Sequence, residues 1–265
     1  MIRTATLPAS DGVATGVRYA GDSGPALIFV HGVGSTAAIW DAQLEAFANA
    51  HRCFAIELRG NGVPKPEPDP ASITRAGYAA DVLAVAAWAG VERFTLVGCS
   101  LGGVVAFELW TREPARFDAM AIVGSFARYP EARTYANGIV EAVRAAAGME
   151  AFARARAAKL GLPPERERET IEQMAMKAVP SYVAATEATW TGDYSSVLPT
   201  INVPVLVTCG ERDVIAPLER SKEIAAAIPG AHLETVPDAG HVANADNPTA
   251  FNALLERFLS TTSAA

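Results

Sequence analysis

Ser100 stands in the run Gly98-Cys99-Ser100-Leu101-Gly102-Gly103, directly after an apolar stretch at 94–97 and directly before a helical pattern. Gly-x-Ser-x-Gly in a strand, turn, helix setting is the arrangement that pushes a serine hydroxyl into the open for nucleophilic attack. The glycines have a steric reason. A turn this sharp brings strand and helix backbones together, so a Cβ at position 98 or 102 would clash while Ser100 takes a strained conformation. A helix opening just after Ser100 also aims free backbone N–H groups at the place where an oxyanion forms, with Leu101 N–H the first donor. The bland alternative is a tight turn with a capping serine and no chemistry.

A serine hydroxyl is a poor nucleophile until a histidine accepts its proton, and that histidine needs a carboxylate to fix its tautomer. The chain has four histidines, 31, 51, 232 and 241. His241 lies in Pro237-Asp238-Ala239-Gly240-His241, a glycine-containing loop between the last apolar run and the last helical pattern, and is the expected base. For the acid, Asp213 in Gly210-Glu211-Arg212-Asp213 is favoured over Glu211 because it lies deeper in the loop after the apolar run at 205–208. The order serine, aspartate, histidine separates this set from the chymotrypsin and subtilisin orders. A second oxyanion donor is expected from His31-Gly32-Val33-Gly34, with Val33 N–H first and Gly34 next. His31 is expected to hold that loop by hydrogen bonds rather than to act as the base.

Positioning these loops requires a scaffold whose strand ends point the same way. Apolar runs at 26–30, 53–56, 94–97, 119–123, 205–208 and 233–236 read as strands. Helical patterns near 37–48, 73–89, 101–112, 218–228 and 249–259 lie between or after them. Strands alternating with helices imply a doubly wound α/β domain with a mostly parallel sheet covered on both faces. Two opening segments, 2–7 and 12–19, have no helix between them and read as antiparallel edge strands. Asn247-Pro248 reads as a helix start, Asn capping and Pro at the first turn. Between 127 and 200 the alternation stops and Ala-, Arg- and Glu-rich helices follow. We read 1–126 with 201–265 as the core domain and 127–200 as an inserted helical cap. The segment 64–70, with four prolines in seven residues, reads as a surface loop.

Composition narrows the function classes. The 265 residues are 50% hydrophobic and 19% charged, as in a globular protein, and no apolar run approaches a membrane span. Net charge is −7 with basic residues scattered, so no basic face for nucleic acid is expected. The N-terminal stretch lacks an apolar signal core, and a cytoplasmic protein is expected. Cysteines 53, 99 and 209 lack metal-site spacing and read as buried free thiols.

With these motifs in place, the chain resembles the α/β-hydrolase superfamily over its whole length. GCSLGG, VPVLVTCGERD and AGHVANADNP are similar to its 3-oxoadipate enol-lactonase-like branch. The resemblance implies an eight-stranded sheet, a helical lid, and hydrolysis of a carboxylic ester or lactone without a cofactor or metal. Two departures stand out. Relatives usually read Asp-x-Arg-Gly-His-Gly where this chain has Glu57-Leu58-Arg59-Gly60-Asn61-Gly62, and position 33 is Val where some carry an aromatic residue.

For a small-molecule substrate, the lid-side candidates are Trp40, Phe126, Arg128, Tyr129 and Trp190, with Arg128 able to pair a substrate carboxylate. Homo-oligomerisation stays open. The competing readings are a carbon–carbon bond hydrolase, a perhydrolase or cofactor-free dioxygenase using the same three residues, or a non-catalytic hydrolase-like ligand-binding protein.

Overall fold

A computed structural model describes residues 1–8, 11–61, 67–160 and 162–262. Among them, eight strands form one sheet: β1 (Arg3–Pro8), β2 (Ala14–Ala20), β3 (Ala26–Val30), β4 (Arg52–Glu57), β5 (Phe94–Cys99), β6 (Phe117–Val123), β7 (Val205–Gly210) and β8 (His232–Val236). Their spatial order is β1-β2-β4-β3-β5-β6-β7-β8. β1 and β2 enter antiparallel, as two segments without an intervening helix must, and β3 through β8 run parallel.

The helices are α1 (Asp41–Phe47), α2 (Arg75–Trp88), α3 (Leu101–Arg112), α4 (Ala132–Ala145), α5 (Met149–Ala157), α6 (Pro164–Ala175), α7 (Val179–Trp190), α8 (Leu218–Ala227), α9 (Ala243–Asp246) and α10 (Pro248–Thr262). The sheet is covered on both faces because its strands are apolar on both. In β3, Leu27 and Phe29 face α1 and α10, whereas Ile28 and Val30 join the core under α2, α3 and α8. Asn247 caps α10 through Oδ1, which accepts from Ala250 N–H at 3.2 Å. One helix differs from the sequence reading. The stretch 37–48 is a 3₁₀ turn, Ala37–Trp40, followed by α1. In the proline-rich segment, positions 64–66 lie outside the described residues, and its end is a 3₁₀ turn, Pro70–Ser72, capped by Asp69.

Helices α4 to α7 lie between β6 and β7. The two ends of this insertion are pinched together by a backbone bridge between Arg128 and Asp193 and by Tyr194 N–H donating to Ala127 O at 2.8 Å. The insertion is fastened to the loop after β3. Lys177, 4% exposed, donates from Nζ to Ser35 O at 2.8 Å and to Asn61 O, while Gln173 Oε1 accepts from Thr36 N–H at 3.2 Å.

The loop after β4 is held by charge. Buried Arg59 reaches Asp81 at 2.7 Å and Asp11 at 2.5 Å, and Asp81 also accepts from Thr15 Oγ1 and Arg59 N–H, both at 3.0 Å. The Arg59 guanidinium hydrogen-bonded to Asp11 holds that carboxyl below the usual carboxylate range. The Arg59–Asp81 pair, buried on both sides, holds only because its hydrogen bonds are met; removing one partner would strand the other charge.

Cys53, Cys99 and Cys209 are free and buried. Burial pushes the Cys53 thiol up to about 12 and raises the other two. Only the thiolate reacts, so a raised value means an unreactive thiol at neutral and mildly alkaline pH. Iodoacetamide at pH 8 is expected to leave all three unmodified in the folded protein and to alkylate three in urea, counted by mass spectrometry.

Candidate active site

The four loops that carry the expected chemistry leave the sheet at the carboxyl ends of β3, β5, β7 and β8. The strand order reverses at β3 and β5: the chain goes outward from β3 to β4, then crosses back to β5. Loops leaving such a switch point diverge and open a crevice. Val30 and Gly98 pair across β3 and β5, so the His31–Gly34 loop and Ser100 emerge side by side. A Cβ placed on Gly32 would lie 3.2 Å from Ser100 Cβ.

Ser100 has φ 54° and ψ −113°, a left-handed strained conformation for a residue with a side chain. It is held by its neighbours. Ser100 N–H donates to Val123 O at 2.9 Å, and Ser100 O accepts from Gly103 N–H at 2.9 Å and from buried Ser125 Oγ at 2.7 Å. The turn also needs its glycines. A Cβ on Gly98 would sit 2.3 Å from Gly102 O, and one on Gly102 would sit 2.2 Å from Val30 O.

His241 Nδ1 lies 2.9 Å from Asp213 Oδ2 and 3.0 Å from Oδ1. Asp213 Oδ1 further accepts from Ile215 N–H at 2.8 Å and Ala216 N–H at 2.9 Å. A carboxylate already receiving two backbone donors fixes the ring from the Nδ1–H side, which leaves Nε2 as the accepting nitrogen of the neutral imidazole. The alternative acid, Glu211, is exposed, whereas Asp213 is buried against the histidine. The histidine loop is braced by Gly240 N–H donating to Asp246 Oδ2 at 3.0 Å and Arg212 N–H donating to Ala239 O at 2.9 Å.

His31 is fully buried. Leu58 N–H donates to its Nε2 at 3.1 Å, so Nδ1 carries the hydrogen and donates to Gly32 O at 2.8 Å. The ring thus ties the loop after β3 to the loop after β4. Among the described residues, the backbone N–H groups of Val33 and Leu101 have no acceptor.

Ser100, His241 and Val33 line one cavity beneath the inserted helices, together with Trp190, Met174 and Ile215. Trp190 therefore sits where a lid-side substrate contact was expected. Phe126 and Tyr129 stand behind it, stacked at 4.9 Å and edge-on at 4.7 Å, and position its ring. Four of the five lid-side expectations are corrected, since Phe126 and Tyr129 do not line the cavity and neither do Trp40 and Arg128. Trp40 is fully buried on the opposite side of the sheet between Phe29 and Phe251, because the 3₁₀ turn points it into the core beneath α10. Arg128 is exposed at the neck of the insertion beside Asp193 and does not line the cavity. The sequence reading missed Arg156, Arg166 and Arg212, which do line it. Arg212 was findable as the neighbour of Asp213, whereas Arg156 and Arg166 looked like members of charged helical faces.

The sequence profile of the "Alpha/beta hydrolase family" matches residues 27–254. The chain is 26% identical to 3-oxoadipate enol-lactonase 2 of Acinetobacter baylyi over 263 residues, covering 96% of this chain and 97% of that protein. Among solved structures, a hydrolase from Pseudomonas aeruginosa PA01 superposes with a TM-score of 0.88 at 28% identity, covering 97% of this chain and 98% of that one. A thermophilic esterase from Thermogutta terrifontis gives a TM-score of 0.86 at 26% identity, covering 98% and 99%.

The position of Trp40 generates a direct check. Trp40→Ala is expected to destabilise the protein by about 3–5 kcal/mol, the range for deleting a large buried aromatic. Urea denaturation would read that loss, and an unchanged midpoint would return Trp40 to the surface of a pocket.

Proposed function

We infer, from the fact that this chain belongs to the alpha/beta hydrolase family, that it is a serine hydrolase that cleaves a carboxylic ester or lactone of a small molecule. The observation that carries the reading is a strained Ser100 sharing one cavity with a histidine whose Nδ1 is locked to a buried aspartate.

In the proposed reaction, Ser100 Oγ attacks the acyl carbon as His241 Nε2 takes its proton. The carbonyl π electrons move to oxygen, and the resulting oxyanion is held by Val33 and Leu101 N–H. Collapse re-forms the carbonyl and expels the alkoxide, which takes the proton from the imidazolium. Water then attacks the acyl-serine as His241 Nε2 accepts its proton, and collapse of the second oxyanion breaks the bond to Ser100 Oγ, which takes that proton back from the imidazolium while the acid is released. Asp213 stays ionised throughout, orienting the ring and stabilising its charged form. The two amides suit the oxyanion because a rigid backbone costs no reorganisation as charge develops, and one such donor is worth about 2.7–4 kcal/mol of barrier.

A fluorophosphonate probe is expected to label Ser100 stoichiometrically. His241→Ala should slow labelling strongly, and Asp213→Asn should lower ester turnover by about 10⁴-fold through the wrong tautomer. Peptide mapping that found the probe on another residue, or on none in folded protein, would overturn the assignment.

A further inference from the structure

The cavity over Ser100 is lined by three arginines, and no described residue that lines it is acidic, although the chain as a whole carries a net charge of −7. Two of the three cations have carboxylate partners. Arg166 pairs with Glu169 and, at 3.3 Å, with Asp246; Arg212 pairs with Asp238. Arg156 on α5 is half-buried, and among the described residues its guanidinium has no ion-pair or hydrogen-bond partner. A partly desolvated cation facing an enclosed space without a counter-charge is a binding site for an anion, and the planar fork of Arg suits a carboxylate.

Arg156 also stands where two spaces meet. It lines both the cavity at Ser100 and a recess between α4 and α5, formed by Tyr135, Ile139, Phe152 and Lys159 and likewise without an acidic lining residue, and the two spaces share Leu160 and Ile215 as well.

We propose that Arg156 is a specificity-determining residue and that the substrate carries a carboxylate, remote from the bond Ser100 attacks, which this guanidinium binds. The inference rests on Ser100 being the nucleophile. Arg156 is a binding residue and takes no part in the proton transfers.

The test uses two matched pairs of esters. One pair places the charge on the acyl side, p-nitrophenyl hydrogen glutarate against p-nitrophenyl hexanoate. The other places it on the leaving side, 4-carboxyphenyl butyrate against phenyl butyrate. The wild type is expected to prefer the acidic member of at least one pair in kcat/KM. Arg156→Gln should reduce that preference by about 10- to 100-fold, the worth of a hydrogen bond to a charged group, and Arg156→Lys should restore part of it. A purely structural role would lower both members of a pair together and leave the ratio intact, which overturns the proposal. So does a wild type with no preference in either pair. Fluorophosphonate labelling of Ser100 in the same samples separates the two failures. Labelling with a flat ratio sinks only the role of Arg156, and absence of labelling in folded protein sinks the serine-hydrolase reading as well.

Discussion

The backbone conformation of Ser100 is the constraint on which the rest of the site depends. A left-handed, non-glycine residue between a strand and a helix costs about 1–3 kcal/mol and persists only where its surroundings leave no alternative. Here the surroundings are the core itself. α3 is pressed so closely on β5 and β3 that a Cβ at Gly98 or Gly102 would penetrate backbone, and Ser125 and Val123 on the neighbouring strand's exit hold the serine's own amide and carbonyl. Relaxing the turn would require moving a helix that buries Val104, Val105 and Phe107. The strain is thus sustained by the burial of α3, and the hydroxyl is presented by packing at a distance rather than by any local preference of serine.

The other site residues are fixed in the same manner, each by hydrogen bonds to a different part of the sheet's rim. Asp213 is locked by the two amides that follow it, His241 by Asp213, and the loop carrying Val33 by His31, whose ring bridges the ends of β3 and β4. Glu57, at the end of β4, accepts from Ala37 N–H at 2.9 Å and so pins the same loop from its far side. The departure Glu57-Leu58-Arg59-Gly60-Asn61 is therefore structural in part: Asn61 folds back on Leu58 O, and its carbonyl receives the cap lysine, Lys177. Gly62 of that motif lies outside the described residues.

The cap divides its work between packing and electrostatics. Trp190 is sandwiched among Phe126, Tyr129 and Tyr135, a rigid aromatic wall with edge-on contacts of the kind favoured by ring quadrupoles. Opposite charges elsewhere on the cap pair with one another or with the core, as Arg133 does with Glu187 and Arg166 with Asp246. Among the arginines that line the cavity at Ser100, Arg156 is the one without an ion-pair partner among the described residues.

By itself, the sequence determined the parts that depend on local chemistry. Glycine spacing around Ser100, the carboxylate and histidine in loops after apolar runs, the alternation of strand and helix, and Asn247 before Pro248 were all legible, because each is set by sterics or hydrogen bonding within a few residues. The tertiary structure decided which side chains face which space. Trp40 and Trp190 are both aromatic residues at the ends of helical turns, yet one faces the core under α10 and the other the cavity. Arg128 and Arg156 are both arginines of the inserted segment, yet one sits at the exposed neck and the other lines the cavity at Ser100. Those differences come from how helices pack across the sheet and over it, a matter of contacts between residues far apart in the chain, and no spacing within a single segment encodes them.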